Sequence, residues 1–211
     1  MAPAYQHTSR KYHTMKIVVL FPTQTEASLF QREGIITIVS GVGLTATAHS
    51  TLRAIYEYEP DMLIMAGIAG AYPHSSFKVG DVALVETEVE GDLGFFTPDG
   101  FTHLAHLPID MEFERRHTLS CPFIPAGTEF LRARSMSLNA AMAHYVDTEF
   151  VDLENMEGAA FFYTCLQEDQ PFLELRAVSN FVNVDNDEWD MQGSIKAMTK
   201  ALHQLLDDIQ H

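Results

Sequence analysis

Basic side chains are scarce in this chain. Its 211 residues include 13 Lys and Arg against 29 Asp and Glu, a formal charge of -16. Nucleic acids and anionic membranes bind clustered cations, so this balance argues against both as partners. Cysteine is nearly absent. Cys121 and Cys165 are too few for a disulfide framework and suit a reducing cytoplasm, where both read as small buried side chains. No apolar run approaches the ~20 residues of a membrane-spanning helix. The first 14 residues, MAPAYQHTSRKYHT, lack the apolar stretch of a secretory signal and read as a polar, flexible extension. There is no His/Cys cluster with metal-ligand spacing, and the histidines are scattered through polar segments. No serine sits in a G-x-S-x-G elbow. Neither a metal nor a cofactor is expected.

What the chain does have is alternation. KIVVLF (16–21), GIITIVS (34–40), DMLIMAG (61–67) and PFLELRAVSN (171–180) are apolar, β-branched runs that read as buried strands. DVALVETEVEG (81–91) alternates and reads as a longer, half-exposed strand. Between them, LTATAHSTLRAIYEYE has helical spacing, with Leu44, Ala48, Leu52 and Ile55 on one side. SLNAAMAHYV (137–146) reads as a short helix, and EFVDLENMEGAAFFYTCLQE as a brief strand passing into a helix. Residues 95–125 read as long loops with short strands. The end is an amphipathic helix with Ile195, Met198, Leu202, Leu205 and Ile209 on one face. Strands alternating with helices, several apolar throughout, predict an α/β fold covered on both faces of its sheet. In such folds ligands bind at the carboxyl ends of the strands.

One strand end carries a decoy. GVGLTA (41–46) matches the dinucleotide fingerprint G-x-G-x-x-G/A. That site needs an acid at the tip of the next strand to hold the ribose, and the next strand ends in Ala66-Gly67-Ile68-Ala69-Gly70. A tight strand-to-helix turn explains Gly41 and Gly43 without a dinucleotide.

The other ends collect carboxylates and an amide. The first strand is followed by FPTQTEA with Glu26. ENMEGAA sets Glu154 and Glu157 around Asn155-Met156, and the last strand closes on Ser179-Asn180. Each has two readings. Glu26 and Glu157 are either ligand groups or helix-start acids that favour the macrodipole. Met156 is either pocket wall or core. Asn180 either faces a ligand or caps a turn.

Taken in this order, SGVGLTATA, AGIAGAY, KVGDVALVE, ENMEGAAFFYTC and LRAVSN resemble the nucleoside phosphorylase and nucleosidase superfamily. The resemblance runs from Lys16 onward. It implies a single domain over residues 15–211, with a central mixed β-sheet flanked by helices. It also implies a small-molecule purine nucleoside as substrate, and assembly as a homo-oligomer, either dimer or tetramer. Within the superfamily, GDLGFF, ENMEGAAF, and SN with a tryptophan several residues on resemble the futalosine hydrolase group, which releases hypoxanthine on a route to menaquinone. The methylthioadenosine/S-adenosylhomocysteine nucleosidases and the purine nucleoside phosphorylases are the alternatives. Two departures stand out. FVNVDNDEW carries no arginine after SN, and SMSLNAAM fits the base-side stretch only loosely.

By this resemblance Glu26 is catalytic and deprotonates the attacking water. Glu157 takes the ribose hydroxyls, Met156 packs on the sugar, and Asn155 lies beside them in the binding stretch. Val42, Ala69 and Gly70 line the pocket. Asn180 is the second catalytic position. Adenine-cleaving relatives carry aspartate there and can protonate N7, whereas an amide donates a hydrogen bond but surrenders no proton. Charge separates hydrolysis from phosphorolysis. No Lys or Arg occurs between Ile17 and Gln31 or between Ala54 and Phe77, so the loops that would hold phosphate lack cations. Phe95 and Phe96 read as a wall for a substrate tail, as core or as interface.

Overall fold

The structure is a computed structural model that describes residues 15–108, 117–182 and 189–210. The 14-residue extension and the whole stretch 183–188 lie outside the described residues. Among the described residues ten strands and four α-helices follow in order: β1 (Ile17–Phe21), α1 (Gln24–Ala27), β2 (Ile36–Val39), α2 (Leu44–Tyr58), β3 (Met62–Ala71), β4 (Val82–Glu90), β5 (Gly94–Thr97), β6 (Gly100–His103), β7 (Leu119–Ser120), β8 (Leu131–Ser137), β9 (Leu153–Asn155), α3 (Gly158–Gln167), β10 (Phe172–Phe181) and α4 (Met191–Gln210).

Eight strands form one mixed sheet in the order β10-β4-β8-β9-β3-β1-β2, with β7 beside β4. β10 also pairs with β3, so β10, β4, β8, β9 and β3 close a circuit from which β1 and β2 extend. β3 makes this possible by its length. Its first residues pair with β1, its last two with β9, and nearly its whole length with β10. β1 is buried at every residue. Its side chains join those of β3, β10, α3 and α4 in the main core. Ile195, Met198, Leu202 and Leu205 of α4 are buried there as the helical spacing predicts. Cys121 and Cys165 are both free and buried. Among the described residues no helix is long and apolar enough to cross a membrane.

Two expectations change. α2 buries Leu44, Thr47, Thr51 and Ala54, and leaves Leu52 exposed. The short side chains at 47, 51 and 54 let the helix lie close against α3, so packing overrides the apolar stripe. β4 keeps the half-exposed pattern its alternation predicts, with Val82, Glu86, Thr87, Val89 and Glu90 partly exposed. It runs between β10 and β8 with α3 against it, and buries even Glu88. Residues 138–150 form turns, not a helix. Met142 takes a left-handed φ of 61°, and its N–H goes to the Glu154 carboxylate (2.7 Å), not to a carbonyl one turn back. Phe95 and Phe96 are no part of the core. They sit exposed on the β5–β6 hairpin, where Phe96 meets Phe101 and Tyr145 edge-on.

Candidate active site

The carboxyl ends of β1, β3, β9 and β10 and the loop after β2 surround a pocket of about 330 Å3. Every residue assigned above to catalysis or binding lines it: Glu26, Val42, Ala69, Gly70, Asn155, Met156, Glu157 and Asn180, whereas Phe95 and Phe96 do not. Ser179, Glu154, Met142 and Trp189 complete much of the remaining wall.

Glu26 is held from two sides. Thr23 caps α1, accepting the Glu26 N–H at 3.1 Å and donating its hydroxyl to Oε2 at 2.6 Å. Oε1 accepts the Ile68 N–H of β3 at 3.0 Å. Each oxygen keeps a further lone pair. Burial is the largest influence on this carboxyl and raises its pKa, against the opposing pull of Thr23, the Ile68 amide and Arg176. A raised carboxylate pKa suits a base that must take a proton from water near neutrality.

Glu157 precedes α3, but its side chain does not cap the helix. Asn155 does so instead, its Oδ1 accepting from the N–H groups of Glu157 and Gly158, both at 2.7 Å. The Glu157 carboxylate is thereby released toward the pocket. It accepts the Gly43 N–H at 3.2 Å and pairs with Arg176 at 3.2 Å. Gly41 and Gly43 have φ of 87° and 95°, so the decoy motif is a turn that carries one backbone donor to Glu157. The rest of the Asn155 carboxamide faces inward. Its Nδ2 donates to Glu88 at 2.6 Å and to Ser135 at 2.8 Å. Asn155 thus reaches the wall while its polar group holds the frame.

Arg176 escaped the sequence reading and lies beneath the whole arrangement. It is fully buried, with Nε on Glu174 at 2.7 Å, Nη1 on Glu157 and on the Ile68 carbonyl at 3.1 Å, and Nη2 on Asn155 Oδ1 at 3.1 Å. A signal was available. An arginine inside an apolar strand, two residues from a glutamate on the same face, reads as a buried pair. Glu88 and Glu174 are both fully buried nearby, and both carboxyls are pushed up by that burial. Burial, with Glu174 beside it, holds Glu88 well above the usual carboxylate range.

Asn180 is 2% exposed. Its Oδ1 accepts the Ser179 hydroxyl at 2.9 Å and its Nδ2 donates to the Phe181 carbonyl at 3.1 Å, leaving one N–H without a partner among the described residues. The pairing of β10 with β3 slips between Val178 and Asn180, making Ser179 the extra residue of a bulge.

The fold and this strand-end pocket define a nucleoside phosphorylase-like α/β protein. The phosphorylase superfamily model matches residues 7–210, and the chain belongs to that superfamily. It is 30% identical to a futalosine hydrolase of Thermus thermophilus, over 90% of this chain and 94% of the relative. A 5'-methylthioadenosine/S-adenosylhomocysteine nucleosidase of Hydrogenovibrio crunogenus is 26% identical, over 84% of this chain and 81% of the relative. Among solved structures, futalosine hydrolase of Helicobacter pylori superposes with TM-score 0.72 at 17% identity, covering 92% of this chain and 98% of that one. The 5'-methylthioadenosine nucleosidase of Arabidopsis thaliana superposes with TM-score 0.75 at 18% identity, covering 93% and 97%. These two structures bear on the fold alone.

Proposed function

We propose that this protein hydrolyses the N-ribosidic bond of a purine nucleoside, with futalosine as substrate and hypoxanthine as the released base. One observation carries the reading. Three buried carboxylates, Glu26, Glu154 and Glu157, and the buried Asn180 amide line one pocket, and no Lys, Arg or His is on its described lining. Phosphorolysis needs a cation or an anion nest beside the ribose. Arg176 does not serve, because Glu174 and Glu157 already occupy it.

In this reading Glu26 takes a proton from water as its oxygen bonds to the anomeric carbon. The carbon–nitrogen bond breaks and its electron pair leaves with the base. Glu157 accepts hydrogen bonds from the ribose hydroxyls and favours the cationic sugar of an oxocarbenium-like transition state. The second N–H of the Asn180 amide meets the charge that develops on the base. A 6-oxopurine spreads that charge onto O6, so it leaves without full protonation and takes its proton from solvent afterwards. Glu26 then returns its own proton to water. Identity to the Thermus relative supports futalosine. The methylthioadenosine nucleosidase likeness supports the same reaction on a 6-aminopurine as the second reading.

The test is release of free base from futalosine, inosine and methylthioadenosine, each with and without phosphate. Hypoxanthine from futalosine at a phosphate-independent rate is expected. Ribose 1-phosphate formation would overturn hydrolysis, and adenine from methylthioadenosine alone would select the second reading. Asn180→Asp is expected to move the ratio of hypoxanthine to adenine release toward adenine by about 10²- to 10⁴-fold, the size of a general-acid contribution. An unmoved ratio would leave Asn180 as a turn cap.

A further inference from the structure

Glu157 shares its arginine with a second glutamate that lies outside the pocket. Glu174 of β10 is fully buried and makes the shorter contact with Arg176. Its Oε1 accepts the Nε–H at 2.7 Å, whereas Glu157 accepts from Nη1 at 3.2 Å. Glu88 stands near the same guanidinium but takes its hydrogen bonds from Asn155 and Ser137. Arg176 is the only buried Lys, Arg or His among the described residues. One cation is therefore shared by two bonded acids, and of these only Glu157 lines the pocket.

Glu174 is a demanding side chain to keep in this place. Its Oε2 is buried with no hydrogen-bond partner among the described residues, and such an orphaned oxygen is destabilising. It also constrains its neighbour. A Cβ at Gly158 would lie 2.7 Å from Glu174 Oε1 and would run into Glu88 Oε1. Gly158 has no left-handed φ that would call for glycine by itself, so the need there is room. Packed apolar residues replace buried ion pairs at little loss of stability. What Glu174 adds over an apolar residue is its charge.

That charge bears on the reaction. Glu157 faces a sugar that becomes cationic in the transition state. Arg176 alone beneath it would cancel the carboxylate and leave the pair with no net charge toward the ribose. With Glu174 bonded to the same guanidinium through another nitrogen, the three groups keep one net negative charge. Glu157 is the member that presents it to the pocket, and a buried charge is weakly screened.

We propose that Glu174 is a positioning residue that acts through Arg176, neutralising the guanidinium so that the charge of Glu157 stays available to the cationic sugar. The assignment rests on the nucleosidase reading. Two variants separate charge from bonding. Glu174→Gln keeps an oxygen for the Arg176 Nε–H and loses the charge. Glu174→Asp keeps the charge on a side chain one methylene shorter. Each is compared with wild type for turnover of futalosine and for binding of two carbon-linked, uncleavable analogues of it (or of methylthioadenosine, if that is the nucleoside cleaved). One analogue has the ribose ring oxygen, and the other has a protonated ring nitrogen in its place. Wild type is expected to bind the cationic analogue at least about 10-fold tighter, as a transition-state mimic should. Glu174→Gln is expected to lower kcat by about 10-fold, the lower end of what a neighbouring charge does to an ionisation, with KM close to wild type. Its preference for the cationic analogue should shrink by the same factor. Glu174→Asp should keep most of that preference. A strut would behave differently: both analogues would weaken together in Glu174→Gln, or Glu174→Asp would lose the preference as fully as Glu174→Gln. Either result overturns the proposal. If Glu174→Gln does not fold, loss of the preference in Glu174→Asp has the same force. A wild type that cleaves its nucleoside but binds both analogues equally overturns the proposal alone. A wild type that releases no base from any nucleoside sinks the hydrolase reading and the proposal with it.

Discussion

Replacing Glu26 by glutamine is expected to lower turnover by about 10²- to 10⁴-fold, the usual contribution of a positioned base. Affinity for substrate should change little. The amide can occupy the same place, because its oxygen can keep the Ile68 N–H and its nitrogen can donate to Thr23, whose hydroxyl accepts as well as donates. The loss is therefore chemical. Initial rates and calorimetric binding of substrate check this, and a variant with wild-type turnover would remove Glu26 from the reaction.

The pH dependence gives a second readout of the same residue. A base acts only when ionised, and burial holds the Glu26 pKa above the ordinary carboxylate value. The wild-type rate should fall on acidification through that raised pKa. Stability runs the other way. Between the unfolded and folded pKa values the folded state binds more protons, so stability falls as pH rises through the folded value. Glutamine has no charge to lose, so at neutral pH Glu26→Gln should be at least as stable as the wild type while nearly inactive. Denaturant midpoints at neutral and mildly acidic pH test the sign.

Arg176→Met is expected to cost about 3–5 kcal/mol, the cost of breaking a buried ion pair by removing one partner. The arginine is held charged by Glu174, Glu157 and Glu88, and it is itself fully buried among them. Lysine would not rescue it. One guanidinium meets Glu174, Glu157, Asn155 and the Ile68 carbonyl through three different nitrogens, a reach that a single ammonium cannot match. The deficit should shrink as pH falls and the stranded acids take protons. Chemical denaturation across pH is the measurement. A loss below about 1 kcal/mol at neutral pH would mean the acids are neutral in the native state and the arginine is a passenger.

The strand ends were legible because buried strands announce themselves by continuous apolar runs, and the residues after them had to include the pocket. Glu26, Glu157 and Asn180 come from segments more than 20 residues apart in the chain, yet the α/β pattern alone brings them to one edge. The frame behind them was harder to read. Nothing local distinguishes Asn155 as a cap from Asn155 as a ligand, because only the fold decides whether Glu88 and Ser135 lie within reach of its amide. The turns at 138–150 were missed for a related reason. Their sequence favours a helix, and a single long-range bond from Met142 to Glu154 overrides it.

The bulge at Ser179 bears on how this pocket can change. In a regular strand neighbouring residues look to opposite sides, but here Ser179 and Asn180 both line the cavity. The choice of side is set by one surplus residue and not by the identity of either neighbour. Substitutions at 179 or 180 would retune what the pocket prefers while the frame stays whole. Removing a single residue would turn the amide toward the opposite face of the sheet and silence it, so at this spot the spacing of the chain constrains the site more than its alphabet does.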